Sequence, residues 1–228
     1  MIISINQPAY LPWLGYFNRI VKSDLHVVLD HVQFEKNSFT NRNKILSNKN
    51  PLWLTLPVLT KGFSDNLQIQ NLLLDNKINW QKKHFLSIEQ AYSKAKYWLE
   101  FKSEVKEIYI KQEDFLINVL NKSLDFFVEY LNIKTPVVYT SNYSFKEKKS
   151  DLVLEICQKF NASKYISGSL GRNYLELDKF QENGIEVVFD DYIHPVYAQK
   201  SENFLPYLST LDLIANCGKD SLRILTNV

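Results

Sequence analysis

The chain has 228 residues, with 27 Lys and Arg against 25 Asp and Glu, a formal charge of +2 at pH 7, and 45% hydrophobic and 14% aromatic residues. That length and apolar share suit a single α/β domain over 1–228 that carries an insert, and no Gly-, Ser- or Pro-rich linker divides it. The near-balanced charge supplies no field for nucleic acid, so no nucleic-acid partner is expected, while a mildly basic pocket for a phosphorylated small molecule stays compatible. No stretch reaches the roughly 18 apolar residues of a membrane span, no basic region precedes an apolar leader, and Cys157 and Cys217 lack zinc or redox spacing. A cytoplasmic protein with buried thiols is the expectation.

Ile2 to Asn6 reads as a buried strand. The turn Gln7-Pro8-Ala9-Tyr10-Leu11-Pro12-Trp13 follows, then a short helix from Leu14 to Val21 and a second strand from Leu25 to Asp30. Strand, helix and strand inside thirty residues make a βαβ start, which favours a parallel sheet. Val32 to Leu52 is polar and irregular; Trp53-Leu54-Thr55-Leu56-Pro57-Val58 alternates like an edge strand closed by proline, and Lys61 to Asp65 forms a glycine-containing loop. Between about 76 and 133 apolar residues recur three and four apart, as in Phe85, Ile88 and Tyr92 or Leu116, Leu120, Leu124 and Phe127, which predicts a helical insert of three helices packed against the sheet. Strands then return at Val137–Thr140, Lys164–Ser167 and Glu186–Phe189, with an amphipathic helix from Asp151 to Phe160 capped by Ser150 and a capped helix at Thr210–Ile214. The fold class expected is α/β, a mostly parallel Rossmann-like sheet with flanking helices and a helical insert.

A β-branched run entering a turn of prolines and aromatics is one way an α/β enzyme presents a ligand site at the carboxyl end of its first strand; a rigid aromatic plug closing the core is the other reading of that turn. Asp30-His31-Val32-Gln33 ends the second strand, with Lys36, Asn41 and Arg42 behind it, a set able to bind phosphate, orient a hydroxyl or amine and remove a proton. Such an Asp-His pair equally serves to cap neighbouring backbone. Ser167-Gly168-Ser169-Leu170-Gly171-Arg172-Asn173-Tyr174 is a small-residue turn whose backbone donors suit an anion, with Arg172 closing over it, or a turn shaped only by backbone needs. His194, before Pro195 and Tyr197, and His84, beside Trp80 and Lys83, are the histidines best placed for proton transfer, and His84 reads equally as a satisfied residue at a helix–sheet interface. No His-x-x-x-His, Cys-x-x-Cys or Gly-Lys-Ser phosphate loop is present, so no metal is expected.

The segment Gln7 to Phe17, Asp30 with Val32-Gln33-Phe34, Asn41-Arg42, Trp53 to Val58, Trp80, Lys83-His84, Tyr92, Ser167-Gly168, Tyr174-Leu175, His194-Pro195 with Tyr197 and Gln199, and Leu208-Ser209 with Leu211-Asp212 together resemble the WbqC-like protein family. Asn6 departs from the pattern, because such proteins commonly have histidine there. The resemblance implies a setting in surface-polysaccharide biosynthesis, lipopolysaccharide O-antigens with acylated or aminoacylated amino sugars included. On that basis the expected activity is transfer of an aminoacyl group, glycyl for instance, or an acyl group to the amine of a nucleotide-linked amino sugar, by direct attack. Asp30, His194 and His84 would be the catalytic candidates. Arg42 and Arg172 would meet phosphates, Tyr10, Trp13 and Tyr16 the sugar or base, Gln33 and Asn41 would orient, and Gln7, Lys36, Ser167, Gly168, Tyr174 and Tyr197 would complete the substrate-binding set. A fainter likeness to nucleotidyltransferases that use ATP keeps an adenylating enzyme in view, with ATP as its cosubstrate. A non-catalytic nucleotide-sugar-binding subunit is the third reading, and the aromatic content allows a homodimer.

Overall fold

A computed structural model describes residues 1–60 and 67–227, so the glycine-containing loop expected at Lys61 to Asp65 lies outside the described residues. By internal packing the chain groups into two units, one of Met1–Gln7, Gly15–His31 and Lys134–Ile193, the other of Pro8–Leu14, Val32–Ile133 and His194–Val228.

The first unit is built on a five-stranded, wholly parallel sheet of β1 (Ile2–Asn6), β2 (Leu25–Val28), β5 (Val137–Tyr139), β6 (Lys164–Gly168) and β7 (Glu186–Asp190), in spatial order β5-β2-β1-β6-β7. Counting only these strands, the order is third-second-first-fourth-fifth, the Rossmann arrangement, and it reverses between β1 and β6. The mixed α/β fold with helices on a parallel sheet is thus as the apolar runs predict. Ile3, Val27 and Val28 are fully buried, each contributing roughly 1.5–3 kcal/mol by removal from water. The flanking helices are α1 (Leu14–Val21), α5 (Lys149–Lys159) and α6 (Leu177–Glu182).

Ser150 does not cap α5. The helix starts one residue before it, and its hydroxyl instead accepts from the Glu176 N–H at 2.9 Å, tying α5 to the segment that enters α6. Gly171 is enclosed so tightly that a Cβ would lie 2.1 Å from Ser167 Oγ, so only glycine fits there.

In the second unit a two-stranded antiparallel hairpin, β3 (Arg42–Ser47) and β4 (Asn50–Thr55), packs with α2 (Trp80–Tyr92), α3 (Trp98–Ile110), α4 (Leu116–Tyr130), α7 (Thr210–Cys217) and α8 (Ser221–Thr226). The three helices expected in the insert are present at α2, α3 and α4. Strand β3 falls where an irregular segment is expected. Its polar residues Arg42, Asn43 and Lys44 mask the strand, but Asn48 and Lys49 both take positive φ, 49° and 64°, the two-residue turn that matches strand twist. The core gathers Trp80, Trp98, Phe101 and Phe127, all with at most 2% exposure. At its edge Gly218 has φ 56°, and a Cβ there would meet the Tyr97 ring at 2.5 Å.

Candidate functional site

In open α/β sheets ligands bind beyond the carboxyl ends of the strands, where the strand order reverses. Here that place is the end of β1 beside the end of β6. Asn6 closes β1, and its Oδ1 accepts from Arg19 Nε at 3.2 Å and Nη2 at 2.8 Å. Arg19 comes from α1, and Gly168 closes β6 with no side chain in the way; a Cβ on it would stand 3.3 Å from Arg19 Nη1. The guanidinium is therefore aimed by an asparagine and admitted by a glycine, which answers what the asparagine departure at position 6 does: it holds and orients.

Burial pulls the Arg19 pKa down, while Asp190, Tyr165 and Tyr16 push it back up. An arginine keeps its charge through such shifts, so a largely desolvated cation stands at the sheet's carboxyl edge. Asp190 does not neutralise it by direct contact: its carboxylate accepts from Asn18 Nδ2 at 2.9 and 3.1 Å and pairs with Lys22 at 2.9 Å. Asn6 Nδ2, buried in the same place, has no hydrogen-bond partner. A planar guanidinium and a spare amide N–H at a strand-order switch are the kinds of donor that can bind phosphate or carboxylate oxygens.

Beneath this edge runs a buried polar chain. Ser4 and His26 are paired in register on β1 and β2, with Ser4 Oγ 2.8 Å from His26 Nδ1, and Tyr16 OH lies 3.5 Å from His26 Nε2. Burial, reinforced by Arg19, drives His26 down to about 3, so it is neutral at physiological pH. Tyr16 is only 4% exposed and serves this chain.

Asp30 lies at the end of β2 and is 2% exposed. Its Oδ1 accepts from Thr140 Oγ1 at 2.9 Å and the Ser141 N–H at 2.8 Å, and its Oδ2 from Ser141 Oγ at 2.6 Å. His31 Nδ1 reaches the same Thr140 hydroxyl at 2.6 Å. The carboxylate thus fastens the turn after β5. Ser167 is buried, its hydroxyl donating to the Gly168 carbonyl at 3.1 Å. Arg172 is held by Asp191 through two contacts of 2.6 and 2.7 Å and lies over the Phe189 ring, while Tyr174 is nearly half exposed nearby in the chain. Gln7, half-buried, is the last residue of the segment that carries β1.

The remaining candidates belong to the second unit. Tyr10 is fully buried, with its hydroxyl 2.9 Å from His84 Nδ1 and 2.6 Å from Tyr109 OH. Burial and Lys83 bring His84 down to about 4, offset in part by the Thr55 backbone. Next to Tyr10, Leu11 takes φ 44°, costly for a branched residue, and the Leu11 backbone is clamped by Ser123 Oγ at 3.0 Å and Asn43 Nδ2 at 2.6 Å.

Trp13 and His194 are brought together through Tyr207, whose ring centroid lies 5.6 Å from the one and 5.3 Å from the other; Phe204 and Tyr197 complete this aromatic nest. His194 Nδ1 lies 2.8 Å from the Pro195 carbonyl, which can only accept, so Nδ1 carries the proton and Nε2 is the basic nitrogen. Asn41 donates to the Leu56 carbonyl at 3.0 Å, and Arg42 sits 4.7 Å from the centre of the Trp53 ring while donating to the Asn37 carbonyl. Gln33 and Lys36 are exposed, Gln33 bridging to Gln68.

Sequence reasoning missed Arg19, a single cation on a short helix that reads as a solvated surface charge, and gave no role to Asp212. Among the described residues, no helix is long and apolar enough to cross a membrane.

The sequence profile of the WbqC-like protein family matches residues 7–224. An uncharacterised protein of Mycobacterium tuberculosis is 31% identical over 221 residues, covering 96% of this chain and 95% of that one. No solved structure matches.

Proposed function

Because the chain belongs to the WbqC-like protein family, we propose that it is an enzyme of bacterial surface-polysaccharide biosynthesis that transfers an aminoacyl or acyl group to the amine of a nucleotide-linked amino sugar. The observation that carries this reading is Arg19, aimed by Asn6 and admitted by Gly168 at the strand-order reversal, where a nucleotide diphosphate is the expected guest. The amine of the sugar attacks the carbonyl of an activated donor, the tetrahedral intermediate breaks the bond from that carbonyl carbon to the donor's activating group and expels it as an anion, and the proton the amine sheds passes to a base. Asp30 supports the site as a fastener, its oxygens being taken by Thr140 and Ser141.

A second reading, an enzyme that first adenylates its amino acid with ATP, draws on the adjacency of β1 and β6, which places the carboxyl end of β1 beside the Ile166-Ser167-Gly168 end of β6. Mass spectrometry of the purified protein with nucleotide-linked amino sugars, glycine, ATP and acyl donors separates these readings. A mass gain on the sugar establishes transfer. ATP cleavage with pyrophosphate release and no sugar product supports adenylation, and tight binding without turnover leaves a binding subunit.

A further inference from the structure

Helices α2 and α3 pack together, and part of their meeting is matched in charge: Lys102 of α3 pairs with Glu89 of α2 at 2.5 Å. One turn further along α3, Lys106 instead lines an open cavity of about 530 Å³. Lys77, ahead of α2, and Lys82, in its first turn, line the same cavity, and none of the three has a carboxylate within 4 Å among the described residues. No Asp or Glu is among the described lining residues. The neighbouring acids are engaged elsewhere: Glu113 turns its carboxylate to Lys122 at 2.7 Å and Asn118 at 2.9 Å, and Asp114 Oδ1 stands 3.5 Å from Asn76 Nδ2. Three like charges around one opening give it a positive potential, which its low-dielectric walls concentrate.

The remaining lining residues narrow the chemistry of a guest. Gln81 and Gln112 make no side-chain hydrogen bond among the described residues, and Asn79 uses only its oxygen, on the Lys82 N–H at 3.4 Å. A carboxamide both donates and accepts, as a hydroxyl does, so these side chains suit a polyhydroxylated molecule. Phe85, half-buried, and Ile110, 58% exposed, supply apolar surface. Tyr109 adds little, being 6% exposed with its hydroxyl on Tyr10 at 2.6 Å, so the cavity has no pair of open ring faces to clasp a flat base. Lysine ammonium groups meet phosphate or carboxylate oxygens as point charges. The volume falls within the roughly 300–1,000 Å³ of small-molecule sites.

We propose that this cavity binds a sugar bearing an anionic group, phosphate or carboxylate, with the anion among Lys77, Lys82 and Lys106, the hydroxyls on Gln81 and Gln112, and the carbon face of the ring on Phe85. Its residues all belong to the second unit and Arg19 to the first, so this site lies beyond the proposed nucleotide contact and does not rest on it. A neutral sugar lacks the charge and inorganic phosphate lacks the hydroxyls and the ring, so each binds more weakly than a molecule that combines them.

The test is calorimetric titration of the full chain with glucose 1-phosphate, glucuronate, glucose and inorganic phosphate. At least one of the two charged sugars binds saturably, and the tighter of them names the anion. Glucose and inorganic phosphate bind at least about tenfold more weakly, and the double variant Lys82→Gln/Lys106→Gln weakens the charged sugar about tenfold or more, while Arg19→Gln leaves it unchanged. Lys82 and Lys106 are exposed, so the double variant keeps the fold, which far-ultraviolet circular dichroism verifies. No saturable binding of either charged sugar, equal affinity for glucose or for inorganic phosphate, binding that the double variant does not alter, or a loss confined to Arg19→Gln overturns the proposal. Failure of the transferase reading leaves these results standing, because no turnover is measured in them.

Discussion

Asp30 at the end of β2 and Asp212 at the start of α7 are both buried carboxylates, 2% and 0% exposed, and they differ in what their oxygens touch. Three donors from Thr140 and Ser141 occupy Asp30. Asp212 has two donors on one oxygen and none on the other. The difference teaches that the fold matches two buried carboxylates unequally, and that burial and chemical type alone do not tell a functional carboxylate from a structural one. Asp30 stands at a strand end, where α/β enzymes keep their chemistry, and its oxygens hold the turn after β5. Asp212 stands in a helix that reads as core, with Tyr197 and Gln199 on one oxygen and Tyr92 beside the carboxylate.

The largest expected effect breaks the comparison at Asp30. Asp30→Ala strips the acceptor from two hydroxyls and a backbone N–H, and urea denaturation should show a loss of about 3 kcal/mol. A loss below about 1 kcal/mol would mean the turn after β5 does not depend on it.

The buried histidines set the acid side of the same measurement. His26 and His84 are held down to about 3 and about 4, so the folded state stays neutral where the unfolded chain takes up protons near 6.5. Their stabilisation is complete above 6.5 and is lost as pH falls through that value towards the folded pKa values. At pH 5 each accounts for about 2 kcal/mol of lost stability relative to pH 8. His26→Gln should remove about 2 kcal/mol from the stability lost between pH 8 and pH 5. An unchanged slope would contradict the neutral, buried imidazole.

Asp212 has the opposite sign. Desolvation raises its carboxyl to about 6, partly offset by Tyr197, Gln199 and Tyr92, so its ionisation destabilises the folded state above that pH and the penalty fades as pH falls. Wild type should therefore recover about 1 kcal/mol relative to Asp212→Asn between pH 8 and pH 5. Parallel pH curves for the two proteins would show that Asp212 does not titrate there. The smallest effect is at Arg172, whose ion pair with Asp191 is exposed on both sides; Arg172→Ala should leave the melting temperature unchanged within the error of a thermal scan.

The strands of the sheet were legible because each is a short apolar run with turn residues at its ends, and the insert helices because their apolar spacing is 3.6-periodic over long segments. The β3–β4 hairpin was not, since Arg42, Asn43 and Lys44 break the apolar alternation and its turn uses Asn48-Lys49 where glycine would have announced it. Ser150 looked like a helix cap because caps are recognised by residue type, while its hydroxyl had a tertiary use. The site is the harder part. Tyr10 and Tyr16 stand in an aromatic-rich segment, yet their hydroxyls serve His84 and His26 in the core. Arg19 gains its meaning only from Asn6 and Gly168, residues 13 positions before it and on a distant strand, and no local pattern reports that meeting.

The central claim is that a nucleotide diphosphate sits on Arg19 at the junction of β1 and β6. Isothermal titration of a nucleoside diphosphate-linked amino sugar into wild type and Arg19→Gln tests it most directly. The account predicts saturable binding to wild type and an affinity at least about tenfold weaker in the variant, with the melting temperature of both recorded alongside. Equal affinity in a folded Arg19→Gln protein would contradict it.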